Sequence, residues 1–395
     1  MPESSHNFSD NSVVCLMAPT ASGKTALAYE LYDTGRYELI SVDSALIYRN
    51  MNIGTAKPNT AELARYPHHL VDIIDPTQSY SVAEFVKEVE RLINDCHQRA
   101  KIPLLVGGTM MYYMALIEGL SPIPDSDEAV RAQVELWRQN EGISSLYDYL
   151  AKVDPVTHKR LQPADTQRIT RAVEVYKQTN SALSDWQRQP KHALANNLNQ
   201  QWYVLSVLPE RVWLHERIGR RLDIMWEEGL VAEVISLLER YTLNPDMPAM
   251  RCVGYRQVLE YLVQIQHPIF DQSHLNKSWF YKTFASDKVM EAIDTKTGNS
   301  SLSINSSKLL NEAKASQESL ACDVMRNKAL YATRQLAKRQ YTWLRKLSKP
   351  SESRQRLRNN TIESLDINAT SLTDEQHNIV RKSFTTLSEV RDYLL

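Results

Sequence analysis

With 395 residues the chain is long enough for two domains, or for one domain carrying a large insertion. Hydrophobic residues at 43% and charged residues at 24% exclude a disordered or fibrous class, and a net charge of -1 excludes an overall basic or acidic field as the basis of partner choice. Cys15, Cys96, Cys252 and Cys322 form no C-x-x-C pair and stand beside no spaced His pair, so the pattern argues against zinc or a disulfide framework and for a reducing, cytoplasmic setting. The N-terminal "MPESSHNFSDNS" lacks the apolar core of a secretory signal, and no apolar run approaches the roughly 18 residues of a membrane span.

The first part alternates strand and helix. "SVVCLMA" reads as a buried strand, "KTALAYELY" as a helix and "YELISVD" as a second strand. "SVAEFVKEVERLINDCHQRA" is a long amphipathic helix with Val82, Phe85, Val89, Leu92 and Ile93 on one face. "IPLLVGG" is a third strand and "TMMYYMALIEGL" a further helix. Such alternation predicts an α/β fold with a parallel sheet covered by helices on both faces. At "SPIPDSD" the pattern breaks into a linker. From Glu128 to about Gln187 the sequence reads as helix throughout, and "QWYVLSVL" then returns to strand. The simplest topology places a mainly helical insertion, 123–198, between a first core part, 12–122, and a returning strand with C-terminal helices, 199–349. Within the last part, 267–318 includes "DTKTGNSSLSINSSKLLNEAKASQES", rich in Ser, Asn and Lys, and is expected to be a disordered insertion. A strong helix is predicted from about Asp323 to Leu347, and residues 350–395 read as a polar tail with one short helix near "DEQHNIVRKSF".

The turn between the first strand and helix is Ala18-Pro19-Thr20-Ala21-Ser22-Gly23-Lys24-Thr25. Apart from Ala in place of the first glycine, it is the G-x-x-x-x-G-K-[ST] loop of ATP-binding proteins. Successive backbone N–H groups can wrap an anion at the helix N-terminus, Lys24 adds charge, and the Thr25 hydroxyl can ligate Mg²⁺. Ala18 is acceptable provided its φ is negative. Strand "IPLLVGGT" carries no acid where a nucleoside triphosphatase needs one for Mg²⁺. Asp72 and Asp75 in "HHLVDIIDP" sit on a short stretch better suited to structure. This weakens the case for ATP hydrolysis and leaves plain diphosphate binding open. Asp43 closes the second strand at the edge that faces ligands in doubly wound sheets. A carboxylate there can hold Mg²⁺ through water, accept a proton, or cap the following turn. From Arg326 to Lys349 there are eight Lys or Arg and no Asp or Glu. Arg334, Lys338, Tyr341 and Arg345 fall on one helical face, with Leu336, Trp343 and Leu347 toward the other, a basic stripe suited to an RNA backbone and an exposed base.

Six separated blocks, "PTASGKTALA", "ISVDSALIYRNMNIGTAKP", "PHHLVDIIDP", "PLLVGGTMMYYMAL", "RCVGYRQ" and "ATRQLAKRQYTWLR", resemble the tRNA dimethylallyltransferase family in order. The resemblance implies a P-loop NTPase-like core. It also implies transfer of a dimethylallyl group from dimethylallyl diphosphate to N6 of the adenosine beside the anticodon, position 37, of tRNAs reading codons that begin with U. Asp43 would be the base on the adenine amine and Thr109 its neighbour in catalysis. Thr20, Ala21, Ser22, Gly23, Lys24 and Thr25 would hold the diphosphate with Arg217 and Arg221, while Arg220 would face solvent. Mg²⁺ would sit on Thr25, with Asp43 through water. The tRNA anticodon stem-loop would be held by Asp43, Ser44, Ala45, Leu46 and Thr109, by Arg131, and by Gln167, Arg168, Ile169, Thr170 and Arg171. Arg251, Cys252, Val253, Gly254, Tyr255 and Arg256 would join them, with Arg334, Lys338 and Arg345. The absence of Cys/His spacing for a C-terminal zinc finger places the resemblance with bacterial members. A cytoplasmic monomer with no membrane contact is expected.

Overall fold

The central strands are almost wholly apolar because they are buried on both faces, and this places them in the middle of a parallel sheet. The computed structural model describes residues 8–285, 306–349, 372–374 and 378–395. Strands β1 (Ser12–Met17), β2 (Tyr37–Val42), β3 (His68–His69), β4 (Ile102–Gly107), β5 (Gln201–Val207), β6 (Leu372–Asp374) and β7 (Ile379–Phe384) form one seven-stranded sheet in the order β3-β2-β4-β1-β5-β7-β6. Every neighbouring pair is parallel except β6 with β7. The register pairs Met17 with Gly107 and Val42 with Gly107, so β1, β2 and β4 end level with one another. The loops that follow those strands therefore open on one edge, where an α/β sheet places its ligands.

The chain falls into two compact units, 114–197 and the remainder. In the larger unit, one face of the sheet is covered by α1 (Lys24–Asp33) and by the C-terminal helix α14 (Leu387–Leu394), through Leu27, Leu31, Val390 and Leu394. Helix α3 (Val82–Gln98) packs against β2 and β4. It starts in a capping box, with the Ser81 hydroxyl accepting from Glu84 N–H and the Glu84 carboxylate accepting from Ser81 N–H. Helix α4 (Met110–Glu118) begins just after β4 and is tied down by the Tyr113 hydroxyl, which donates toward the carbonyls of Leu105 at 2.9 Å and Leu16 at 3.1 Å. A second core gathers α9 (Arg211–Glu227), α10 (Leu230–Arg240), α11 (Tyr255–Gln264), α12 (Lys277–Phe284) and the long α13 (Ser306–Leu347).

The smaller unit holds α5 (Glu128–Val153), α6 (Pro155–Arg160), α7 (Thr166–Thr179) and α8 (Leu183–Arg188) around Val134, Leu146, Leu150, Ile169 and Val173. Gly142, at φ 82, breaks α5 into two runs. That is a conformation glycine adopts without penalty.

Two expectations need correction. Residues 267–285 are not a disordered insertion: a 3₁₀ turn at Pro268–Asp271 and helix α12 bury Ile269, Phe270, Phe280, Tyr281 and Phe284. The aromatic spacing within "IFDQSHLNKSWFYKTF" supplies that core, whereas the Ser/Asn-rich composition belongs to residues farther on. Residues 286–305 lie outside the described residues, and α13 starts at Ser306, well before Asp323. Nor is the C-terminus only a polar tail. "IVRKSF" is strand β7, paired with β5 from Trp202 to Val207, and the helix follows it rather than sitting near "DEQHNIV". Alternation of Ile379 and Arg381 with half-exposed neighbours is a strand signal too short to stand out beside the charges. Arg381 is itself buried, its Nη1 donating to the Leu347 carbonyl at 2.7 Å.

If the C-terminal segment is part of the core, Leu394→Ala should lower unfolding stability by about 2–4 kcal/mol, the usual loss for a buried leucine. Urea denaturation checks this, and a loss below about 0.5 kcal/mol, normal for a surface change, would contradict it.

Candidate active site

The loop between β1 and α1 owes its shape to two left-handed residues, Ala21 at φ 62 and Gly23 at φ 93. Ala18 is not among the positive-φ residues, so alanine is compatible with the first loop position. Gly23 is the N-cap of α1, and the first amides of the helix, having no intrahelical acceptor, are free to meet an anion. Cations gather around this turn. Arg217 Nε donates to the Ala21 carbonyl at 2.8 Å, and its guanidinium also lies 4.9 Å from the Trp213 ring centre. Arg221, one helical turn on and on the same face of α9, reaches toward Thr20 Oγ1 at 3.5 Å. Arg220 is exposed and paired with Glu216.

The electrostatics show how closely these charges are held. Burial first, then the Arg221 charge, bring the Lys24 ammonium down to about 8, with Asp43 acting in the opposite sense. Burial and Arg217 likewise lower Arg221, and Asp43 again opposes them. Three cations, Lys24 and Arg221 half-buried and Arg217 exposed, thus gather at this turn with one carboxylate nearby, an arrangement that favours an added anion.

Asp43 follows β2 and lines a cavity of about 620 Å³ together with Thr20, Lys24, Thr25, Thr109 and Arg221. Its Oδ1 accepts from the amides of Ala45 at 2.8 Å and Leu46 at 3.4 Å, so the carboxylate shapes the turn as well as facing the cavity. Ser44, Ala45 and Leu46 line the same cavity. The Thr109 hydroxyl accepts from Ser44 N–H at 3.0 Å and contacts Ser44 Oγ at 3.3 Å, while Thr109 N–H donates to the Val42 carbonyl at 3.1 Å. Gly107 permits this approach: a Cβ there would sit 2.0 Å from the Val42 oxygen. Arg251, Cys252, Val253 and Gly254 also line the cavity. Burial and Asp43 push the Cys252 thiol up to about 12, which leaves it a poor nucleophile.

Among the described residues no group of three or more His, Cys, Asp or Glu side chains is placed to hold a metal. Thr25 and Asp43 both line the cavity, which fits a Mg²⁺ ion taking its other ligands from phosphate oxygens and water.

The structure does not support every RNA-facing expectation. Ile169 is fully buried in the smaller unit, as its place in the α7 apolar stripe requires. Tyr255 is likewise buried, its hydroxyl donating to Glu233 Oε1 at 2.5 Å. Tyr341 lies inside the core with its hydroxyl on the Pro209 carbonyl, so the aromatic is absent from the basic face of α13. Leu336 and Trp343 line the cavity instead of backing the core. Arg334 is half-buried, whereas Lys338 and Arg345 are exposed. Arg256 stacks over Phe284 at 5.0 Å. In the smaller unit Arg131, Gln167 and Arg168 are exposed, and Arg168 pairs with Asp165 at 2.9 Å. Arg171 is spent on the loop, with donations to Ser126 Oγ at 2.6 Å and the Pro124 carbonyl at 3.3 Å. Thr170 is half-buried.

Sequence reasoning passed over Glu233. Its carboxylate accepts from the amides of Asn52 at 3.0 Å, Ile53 at 2.7 Å and Gly54 at 3.2 Å, and from Tyr255. It thereby fixes the loop whose Gly54, Thr55 and Ala56 form part of the cavity wall. Acid residues on amphipathic helices are usually solvated, and only the fold shows this one meeting a loop some 180 residues earlier.

A family model described as IPP transferase matches residues 46–347. The chain belongs to the IPP transferase family. The match begins just after the phosphate loop and Asp43, but both lie within the span shared with full-length relatives. This IPP transferase chain is 65% identical over 398 residues to the tRNA dimethylallyltransferase of Psychrobacter cryohalolentis, covering 99% of this chain and 95% of that protein. It is 45% identical over 337 residues to the tRNA dimethylallyltransferase of Acinetobacter baumannii, covering 85% and 90% respectively. A eukaryotic dimethylallyltransferase, solved acting on tRNA, shares the fold with a TM-score of 0.57 at 22% identity, over 85% of this chain and 70% of that one. No helix among the described residues is long and apolar enough to cross a membrane.

Since Lys24 ionises near 8, its charge is present below that pH and lost as pH rises through it. A diphosphate ligand should therefore bind progressively more weakly above about pH 8. Calorimetric titration with diphosphate checks this: the wild type should weaken with rising pH, whereas Lys24→Met should bind roughly tenfold or more weakly with a flatter profile, the scale of a lost charge-assisted contact. Parallel profiles for the two proteins would contradict the assignment.

Proposed function

We propose that the chain transfers a dimethylallyl group from dimethylallyl diphosphate to N6 of adenosine 37, beside the anticodon of tRNAs reading codons that begin with U. The observation that carries this reading is the opening of the phosphate loop and Asp43 on one cavity, with no acid at the end of β4 to serve ATP hydrolysis. The names of the relatives and the family support the same chemistry.

The donor's diphosphate would lie in the turn from Thr20 to Thr25, against Lys24, Arg221 and Arg217. The acceptor base, turned out of the anticodon loop, would enter the cavity beside Asp43 and Thr109. The adenine nitrogen attacks the first carbon of the allyl group as the carbon–oxygen bond to diphosphate breaks. The electron pair leaves with the diphosphate, where the loop amides and cations meet the growing charge. The proton shed by nitrogen passes to the Asp43 carboxylate. The two amide contacts on Oδ1 fix the orientation of that carboxylate. Thr109, tied to Ser44, sets the turn carrying it. Mg²⁺, when bound through Thr25 and, by way of water, Asp43, would neutralise part of the leaving group's charge. Exposed Lys338 and Arg345 on α13 and Arg251 at the cavity rim supply cations for the tRNA backbone, and Arg131, Gln167 and Arg168 supply polar groups on the smaller unit. The protein would act as a cytoplasmic monomer.

Asp43→Ala should cut single-turnover prenyl transfer by roughly 10²–10⁴-fold, the range for losing a positioned base, while tRNA affinity by gel shift changes little. A variant with near-normal turnover would remove Asp43 from the chemistry, and a parallel loss of tRNA binding would make it a docking residue instead.

A further inference from the structure

Gln340 is a buried amide on α13, 7% exposed, with both ends of its side chain engaged. Its Oε1 accepts from the Thr20 amide at 3.0 Å, and its Nε2 donates to the Gly108 carbonyl at 2.8 Å. It joins two segments far apart in sequence: the phosphate loop after β1, and the turn after β4 that carries Thr109. Gly108 is shaped around it, for a Cβ at that position would fall 2.5 Å from Gln340 Nε2. The second glycine of "VGGT" thus makes room for this side chain, as the first makes room for β2.

The contact also determines which way the loop's amides point. In an anion-binding turn, successive N–H groups can all aim inward. Here the Thr20 N–H is turned to a neutral side chain, and the anion is left with the amides farther along, at the start of α1. We propose that Gln340 is a positioning residue for the diphosphate cradle, holding the Thr20 end of the loop and the Gly108–Thr109 turn at a fixed separation so that loop amides and Thr109 face one cavity. This rests on the reading of that loop as a diphosphate site. Because Gln340 sits on the helix that also bears Lys338 and Arg345, it connects the exposed basic face of α13 to the loop.

The test compares the full-length wild type with Gln340→Met, Gln340→Glu and Leu344→Ala, the last a fully buried neighbour on the same helix. Inorganic diphosphate is titrated by calorimetry from about pH 8 downward. Losing both hydrogen bonds in Gln340→Met should weaken diphosphate binding by roughly tenfold or more. Leu344→Ala should unfold at a lower temperature yet bind diphosphate within about twofold of wild type, since it removes only packing. Gln340→Glu keeps the acceptor for Thr20 but sets an ionised oxygen against the Gly108 carbonyl. On protonation it regains a donor there, so its deficit relative to wild type should shrink as pH falls, whereas the Gln340→Met deficit should not. Normal diphosphate affinity in Gln340→Met, equal weakening in Leu344→Ala, or a Gln340→Glu deficit unchanged with pH would each overturn the proposal. A wild type that binds diphosphate but transfers no prenyl group to tRNA would overturn the proposed function and leave this inference standing.

Discussion

Crowding of like charge at one turn is the constraint on which the rest of this structure depends. Burial and the Arg221 charge make the charge on Lys24 harder to keep, and burial and Arg217 do the same to Arg221. Asp43 offsets part of that repulsion, as the opposite sign of its effect on both cations shows. A fold does not gather like charges this closely without stabilisation from elsewhere, and here it comes from packing. Arg221 is presented by α9, whose Leu214, Ile218, Leu222 and Met225 are locked in the helical core. Lys24 is presented by α1, anchored to the sheet by Leu27 and Leu31. The site is thus prepared for an anion before one arrives, which lowers the reorganisation needed when charge develops on a leaving group.

Much of the scaffold serves to bring strand ends to the same level. Gly107 lets β4 and the turn after it approach the end of β2, Glu233 folds the Asn52–Gly54 amides into the wall, and Gln340 ties the phosphate loop to the Gly108 turn. Each is a polar or backbone contact between segments far apart in sequence. The apolar cores decide which elements pack together, while these contacts decide the geometry at the cavity to a fraction of a residue's width.

That division explains what could be read in advance. The phosphate loop was visible because its signature is local: an apolar strand, a turn ending in Gly-Lys-Thr, and a helix. Asp43 is legible because it closes a strand at the ligand edge, although only the fold shows Oδ1 shaping the turn. The basic run of α13 was equally plain, but which side faced the core was not. Met325, Ala329, Ala337, Leu344 and Leu347 define the buried stripe, and Tyr341 lies along it. Charge density marks the other face, and helical spacing alone puts Tyr341 there, whereas it is buried. The C-terminal strand was obscured by its brevity and its charges: Arg381 reads as solvent-facing until β7 is placed beside β5 and its guanidinium meets the Leu347 carbonyl. Gln340 and Glu233 carried no local signal, because their partners lie 320 and about 180 residues away.

The claim that matters most is that the donor is held by its diphosphate in the turn from Thr20 to Thr25, with its allyl end directed toward Asp43. Diffraction from crystals soaked with an unreactive thio-analogue of dimethylallyl diphosphate addresses it directly. The account predicts phosphate oxygens at about 2.7–3.2 Å from the amides at the start of α1 and from the Arg221 guanidinium. An analogue bound with its phosphates elsewhere, and that turn holding only water, would contradict it.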